Sequence, residues 1–554
     1  MQGTSQTAYL ASITIQLLAK NNQKLISTDG TKQPDRFRPH IIRREKYKYN
    51  PTIPISHTIT SRLPSQPTTS PQKRTSQSKS PSPKMTPPSS KTQPILIIGA
   101  GVFGLTTALE LSKRGYNNIT ILDRTLPPVP DGSSVDVSRI IRPDYADSFY
   151  AQMGLDALTG WKQEFAPFFH HSGLLCVQSQ GSAEYLEQAR ENLQALGNGA
   201  NIQAFRGGEA NAKYPGISGD LAATTGYWNL SGGWADAEGS IGELVRRCAR
   251  AGVAFISGRH GTVTSLVSSS SSSPHPHTSS KKGTRRKIHA VQTAAGTTLS
   301  ADAIILATGA WTPYLVDMSG RSISTGQPVA FIQLTPAEAA DMQGGRTPVM
   351  IDLSTGWFAF PPTPGTNLLK MARHGYGYEV TRSISSTSSS SSSSSPETRN
   401  TETFSAPSLA PSSSSKTTLP RDAEQALRAG LALFLPQFKD RPFVQQRLCW
   451  YTDTPAGDFI VDYHPEYEGL FLATGGSGQY VIFNLPTTYL LPYPSHTNSE
   501  PTNVNNTNND NTNNNNKQQC IQIPPHPRLP HRRQLRRRGV CRAEAKVGVA
   551  SCES

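Results

Sequence analysis

Cysteine is scarce in this chain, with 6 residues among 554. Cys176, Cys248 and Cys449 stand too far apart for a CxxC-type metal or redox pair, so no metal site is expected. No secretory signal is seen either, and the thiols therefore point to a reducing compartment. Long apolar runs are also missing: no stretch of about 18 apolar residues occurs, and no membrane span is expected. Acidic residues are rare at the two ends. Residues 1–93 hold 15 Lys+Arg against 3 acids and residues 487–554 hold 9 against 4, so the net charge of +15 resolves into +12, +5 and −2 for the body between them. Basic ends can hold polyanions without sequence preference, but they are more often solvated tails. Neither a DNA-reading domain nor a specific nucleic-acid partner follows.

Low-complexity segments shorten the part that can fold. The chain carries 43 prolines together with serine runs and an asparagine tract, which cannot bury enough apolar surface to offset the entropy of ordering. Residues 1–93, ending in "TSQSKSPSPKMTPPSSKTQ", read as a disordered basic extension; a spurious extension before a start at Met85 ranks second and a targeting segment third. The insert 268–287 separates two strand-like runs, "TVTSLV" and "IHAVQT", and reads as the tip of a hairpin, where added residues cost little. A second serine tract spans 383–418, and neither insert is expected to carry chemistry. Beyond Pro486 come "TNVNNTNNDNTNNNN" and an arginine-rich end with Cys520, Cys541 and Cys552, so 486–554 reads as a disordered or aberrant tail.

The most informative run is "PILIIGAGVFGLTTALELSKRGYNNITILDR". "ILII" has the continuous apolar character of a buried parallel strand. Gly99, Gly101 and Gly104 then form GxGxxG, Leu105, Leu109 and Leu111 give the next helix an apolar side, and "ITILD" ends a second strand on Asp123. Each part has a task. Gly99 makes the tight turn, Gly101 lets the backbone approach a pyrophosphate, Gly104 allows close helix packing, and Asp123 accepts a ribose hydroxyl. The helix N-terminus adds a positive dipole toward the phosphates. An acid rather than a base at 123 argues against a 2′-phosphate but leaves NAD and FAD open. The later chain separates them: "ADAIILATGAW" (301–311) and "GLFLATGGSGQ" (469–479) are apolar strands ending in Ala-Thr-Gly, far from the first motif. A nicotinamide domain would complete its sheet in one contiguous block, so a sheet assembled from both ends favours FAD.

Several blocks in order carry a resemblance. They are the GxGxxG unit, "GSSVDVSRIIRPDYAD" (132–147), "LATGAWT", "TGQPVAFIQLT", "LLKMARHGYGY" (368–378), "RLCWYTDTPAGDFIVDYHP" and "ATGGSG". From about residue 94 to 478 the chain resembles the D-amino-acid-oxidase-type FAD oxidoreductases, and within them the sarcosine, fructosyl amino acid, L-pipecolate and L-saccharopine oxidase group. The resemblance implies that Cys449 is joined through sulfur to the 8α carbon of the flavin. It places Arg139 and Arg142 beside the flavin ring and the substrate carboxylate, a task suited to a planar guanidinium fork. Lys370 corresponds to a lysine that helps oxygen react, His374 to an active-site histidine, and Tyr451 to a substrate-lining tyrosine. Cys449 and Tyr451, two apart on a strand, point to one face, whereas Trp450 is expected in the core. Ser133 and Ser134 are expected to touch the cofactor, and Arg124, Val263, Gly309, Gly475, Gly476 and Gly478 complete the expected cofactor-binding set. One departure stands out. The family continues "GSGHGFKF", with a lysine for the substrate carboxylate, but this chain reads "GSGQYVIFNLP". A retained intron or frame error is the leading reading of that end.

The expected fold is α/β, with a discontinuous Rossmann-like FAD-binding domain (94–150, 235–325 and 440–485) and an α+β substrate domain on a mostly antiparallel sheet (151–234 and 326–439). The expected activity is oxidation of a secondary amine or N-substituted amino acid of the saccharopine, pipecolate, sarcosine or fructosyl type to an imine, with oxygen reduced to hydrogen peroxide. The protein is expected to be a monomer in the cytoplasm or peroxisome. Two rivals remain: a flavin-binding pseudoenzyme with an altered C-terminus, and a polyanion-binding protein acting through its basic ends.

Overall fold

The computed structural model describes residues 41–42, 90–269, 286–385, 401–410 and 418–479. The expected tail and the middles of both inserts lie outside the described residues, as does most of the N-terminal extension. Within that extension Ile41–Ile42 forms a two-residue strand antiparallel to Glu379 and Val380.

Two sheets organise the body. The first has six strands in the order Ala254–Ile256, Ile119–Leu122, Ile95–Ile98, Ala303–Leu306, Leu470–Thr474 and Ile460–Tyr463. All pairings are parallel except the last, which is antiparallel. Alternation across the pleat explains why these strands are apolar at every position. Ile95, Ile97, Ile119 and Ile121 face the helices Val102–Lys113 and Ala237–Arg250, whereas Leu96, Ile98, Leu122, Ile304 and Leu306 pack on the other side with Ile288 and Val291. Those last two residues belong to the strand Arg286–Thr293, which pairs antiparallel with Val263–Ser268. The first insert therefore does separate the two arms of a hairpin.

The second sheet has eight strands: Gln445–Asp453, Ile323–Gln333, Leu368–Arg373, Trp357–Ala359, Val349–Asp352, Leu174–Gln178, Thr225–Asn229 and Ile202–Arg206. It is mostly antiparallel, with one parallel pairing between Val349–Asp352 and Leu174–Gln178. One face is sealed by the helix Arg421–Phe434, whose Ala423, Leu427, Leu431 and Phe434 pack with Ala330, Ile332, Leu369 and Met371. Trp357 stacks on Phe434 at 4.9 Å, and its Nε1 donates to the Leu427 carbonyl at 3.2 Å. On the opposite face Val329, Phe331, Ala372 and Cys449 gather. Lys370 shares that face, because it alternates with Leu369 and Met371 along one strand.

Two helices, Ser148–Gln163 and Glu184–Ala195, accompany this sheet in the chain. The first is capped by the Asp147 carboxylate, which accepts from the backbone N–H of Phe149 and Tyr150. One boundary differs from the sequence reading. Gln445–Asp453, inside the expected nucleotide piece 440–485, is the edge strand of the eight-stranded sheet, paired with Ile323–Gln333 along its whole length. Its edge position also leaves Trp450 half-buried and outside the core clusters, where the sequence suggested a core residue. The second expected insert, 383–418, is not featureless either: Thr401–Ser405 pairs antiparallel with Glu379–Ser385.

Candidate active site

The turn after Ile95–Ile98 forms a cradle. Gly99 has φ +111, and a Cβ there would fall 2.3 Å from the Ala307 carbonyl oxygen; one on Gly104 would fall 1.9 Å from the Gly99 carbonyl. Neither position accepts a side chain. The helix Val102–Lys113 therefore starts hard against the sheet, with no acidic residue in its first turn, an arrangement that favours an anion at its N-terminus. Ser134 reaches over from a distant loop, and its Oγ accepts from Val102 N at 3.0 Å.

These residues open onto a cleft of about 100 Å³ lined by Gly99, Gly101, Asp123, Arg124, Ser133 and Ser134, with Val263 and Gly309 also on its walls. Asp123 is fixed at the strand end by Ala100 N and Arg124 N, both donating to its carboxylate at 2.6 Å. Burial raises its carboxyl pKa and those N–H groups oppose the rise. Each oxygen keeps a further lone pair for a hydroxyl. Arg124 itself is bound to Asp131 and stacked 4.3 Å from the Trp311 ring. Through Gly101, Ser133, Ser134 and Gly309 the cleft meets a cavity of about 1170 Å³, room for a ring system and a substrate together.

Three distant segments line that larger cavity. Arg139 and Arg142 come from the 132–147 block, Lys370 and His374 from the strand Leu368–Arg373 and its end, and Cys449 and Tyr451 from Gln445–Asp453. Gly476 and Gly478 close the rim, whereas Gly104 and Gly475 stand behind the walls. Cys449 is 7 % exposed, and Arg139 Nη2 donates to its sulfur at 3.3 Å. The His374 ring meets Tyr451 edge-on at 5.3 Å. Gly478 has φ +74, and a Cβ there would strike both rings, at 2.7 Å from Tyr451 and 2.8 Å from His374. Desolvation by the surrounding protein, then the Arg142 charge, pushes the His374 imidazole downward; the residue is exposed to the cavity, so the neighbouring Arg142 cation is the firmer cause.

A buried charge cluster underlies the wall. Lys370, 2 % exposed, places Nζ 2.7 Å from Asp136 and 2.6 Å from the Ser138 carbonyl. Arg447 reaches the same carboxylate at 2.9 Å, and Arg139 also pairs with it. Burial alone would raise the Asp136 carboxyl, but the three cations hold it well below the usual range. Burial brings the Lys370 ammonium down to about 7, Asp136 opposing and Arg139 adding. Asp453, on the same cavity, is pushed up to about 6 by burial, against a hydrogen bond from the Thr325 hydroxyl.

A family model described as FAD dependent oxidoreductase matches residues 94–483. The chain belongs to that family. Among its relatives, L-saccharopine oxidase of Schizosaccharomyces pombe is 32 % identical over 401 residues, covering 70 % of this chain and 86 % of that protein. Monomeric sarcosine oxidase of Arthrobacter sp. is 23 % identical, covering 70 % and 88 %. A fructosyl peptide oxidase structure from Aspergillus nidulans superposes with TM-score 0.62 at 27 % identity, covering 73 % of this chain and 90 % of that one. This FAD-dependent oxidoreductase thus has the discontinuous nucleotide sheet and antiparallel second sheet expected from its sequence. The cleft suits FAD on its own terms: a side-chain-free turn at a helix N-terminus, an acid at the next strand end, and a large chamber beyond.

Sequence reading brought together the residues of the chamber but missed several neighbours. Asp136 stood inside a quoted block without being singled out, and Arg447 stood two residues before Cys449. Gln327 also went unmarked: its amide ties Gly375, the neighbour of His374, through Gly375 N at 3.1 Å and Gly375 O at 3.3 Å. The adjacency of acid and base in "VDVSR" was the available signal for Asp136.

Proposed function

We propose that this FAD-dependent oxidoreductase oxidises a secondary amine or N-substituted amino acid to an imine, with oxygen reduced to hydrogen peroxide. One observation carries the reading: Arg139, Arg142, Lys370, His374, Cys449 and Tyr451, from three segments, line a single chamber continuous with the nucleotide cleft. Similarity to L-saccharopine oxidase and monomeric sarcosine oxidase supports it. When bound, the flavin supplies the hydride acceptor and the route of electrons to oxygen.

The chain's own groups do the rest. Arg142, held over the Tyr145 ring at 4.7 Å and bound to the Asp144 carbonyl, presents a fixed cation for a substrate carboxylate. His374, its imidazole pushed downward by its surroundings and Arg142, offers an uncharged imidazole for the amine. Lys370 and Arg139 on the cavity wall, with Arg447 joined to them through Asp136, would favour the negative charge that develops during reaction with oxygen. Cys449, held by Arg139, is the residue for a thioether to the flavin. Saccharopine, pipecolate, sarcosine and fructosyl amino acids all fit this chemistry. The proposed setting is the cytoplasm or peroxisome, and the thiols of the three described cysteines suit such a reducing compartment. No described helix is long and apolar enough to cross a membrane.

The test is peroxide release from the purified protein across a panel of N-alkyl amino acids, cyclic imino acids and fructosyl amino acids. Turnover of one class supports the reading. A protein that holds FAD while no amine bleaches its spectrum would overturn it in favour of a flavin-binding pseudoenzyme.

A further inference from the structure

Residues 406–409 fall in the stretch that the sequence marks as a serine-rich insert, yet they are pinned one after another. The Ala406 carbonyl accepts from Arg382 Nε at 3.2 Å, and the Pro407 carbonyl from the Tyr314 hydroxyl at 2.8 Å. Next, the Ser408 carbonyl accepts from Trp311 Nε1 at 2.9 Å, and the Leu409 carbonyl from Arg124 Nη1 at 3.1 Å. The base of the segment is equally held: the Ser405 hydroxyl donates to Ser324 O at 2.6 Å, and Phe404 meets the Tyr314 ring edge-on at 5.1 Å. A surface loop ordinarily gives its carbonyls to water.

Three of the four donors, Arg124, Trp311 and Tyr314, line the nucleotide cleft, and so does Leu409 itself. The segment comes from the hairpin Glu379–Ser385 and Thr401–Ser405, yet it is anchored at the mouth of a cleft built on the six-stranded sheet. Leu409 is 43 % exposed there, an apolar side chain that a flat ring in the cleft would cover. The wall this creates, two aromatic rings, one leucine and a guanidinium stacked on tryptophan, suits a purine.

We propose that Ala406–Leu409 is a clasp across the nucleotide end of the cleft that retains the adenylate half of the dinucleotide. This rests on the FAD-binding reading and is independent of which amine is oxidised. The hydrogen-bond donors set the position of the clasp, and Leu409 supplies the apolar contact.

The experiment uses the full chain with Cys449→Ala, so that flavin is exchangeable whether or not a covalent bond forms in the unsubstituted protein. Trp311→Phe with Tyr314→Phe keeps an aromatic ring at each position and removes the hydrogen bonds to Ser408 and Pro407. With two hydrogen bonds lost, FAD should leave roughly tenfold faster, which corresponds to about 1.4 kcal/mol. FMN, which lacks the adenylate, should leave at an unchanged rate. Flavin fluorescence after dilution reads both rates. Unchanged FAD release, or equal acceleration of FMN and FAD, would overturn the clasp. Should the double variant fail to fold, hydrogen exchange of amides 404–410 in the Cys449→Ala protein decides. Slower exchange with FAD than with FMN supports the clasp, and identical exchange sinks it. A chain that binds FAD but oxidises no amine leaves this test intact.

Discussion

Lys370 Nζ stands 2.7 Å from the Asp136 carboxylate, and Arg447 and Arg139 bind the same group. One buried anion therefore serves three cations, and the cavity wall keeps an excess of positive charge. Burial displaces the lysine down to about 7, whereas Asp136 holds Arg139 more firmly charged than an ordinary arginine. A fixed field of this sign is made in advance of any reaction, so it costs no reorganisation when negative charge arises in the chamber.

Asp136→Asn keeps the shape and removes the anion. Breaking a buried pair by deleting one partner typically costs about 3–5 kcal/mol, and a loss of that size is expected in urea unfolding. The double variant with Lys370→Met should recover part of the loss, because one of the stranded cations is gone. Additive losses would show that the pair does not couple.

Lys370→Met should slow the oxidative half-reaction far more than the reductive one. In the unsubstituted protein the rate with oxygen should fall as pH rises through about 7, where the ammonium loses its proton, and the variant should lack that step. Rapid-mixing absorbance of the flavin reads both half-reactions. Equal slowing of the two would place the lysine in another role.

The covalent link predicts that flavin stays with the protein after acid precipitation and adds mass to the peptide containing Cys449. Cys449→Ala should release all its flavin under the same treatment. Flavin that washes out equally from both proteins would leave Cys449 as a buried thiol.

Gly478→Ala should weaken substrate binding while sparing the nucleotide cleft. The position has φ +74, and the added Cβ would press on Tyr451 and His374; the left-handed backbone alone costs about 1–2 kcal/mol for an L-residue. A raised KM with normal flavin content in steady-state assays is the expected result. Normal KM would mean the two rings do not line the substrate's path.

What was legible in the sequence was local. The glycine turn, the strands around it and Asp123 are specified by neighbours a few residues away, and the structure seats them together. That Cys449 and Tyr451 share a face follows from strand alternation, whereas their place at the site came from the family resemblance. The charge cluster was not legible, because Asp136 acquires its meaning only when Lys370 and Arg447 arrive from other strands of a folded sheet. The same holds for Ser134, whose hydroxyl caps a helix that begins far earlier in the chain. Composition misled at 401–410: serine and proline read as insert, whereas the backbone carbonyls, invisible in side-chain patterns, tie this segment to the cleft. The strand Gln445–Asp453 lies near Leu470–Thr474 in sequence and was expected in the same nucleotide piece, but hydrogen-bond partners rather than chain order decide sheet membership.

Leu470–Thr474, late in the chain, lies inside the six-stranded sheet, between Ala303–Leu306 and Ile460–Tyr463. During synthesis the nucleotide sheet therefore waits, with the Ala303–Leu306 edge open, until this strand has emerged from the ribosome. Pairing of such high sequence separation is slow to form, and an exposed apolar edge invites association with other chains in the interval. A truncation anywhere before Thr474 should leave a trapped, aggregation-prone chain rather than a smaller working enzyme.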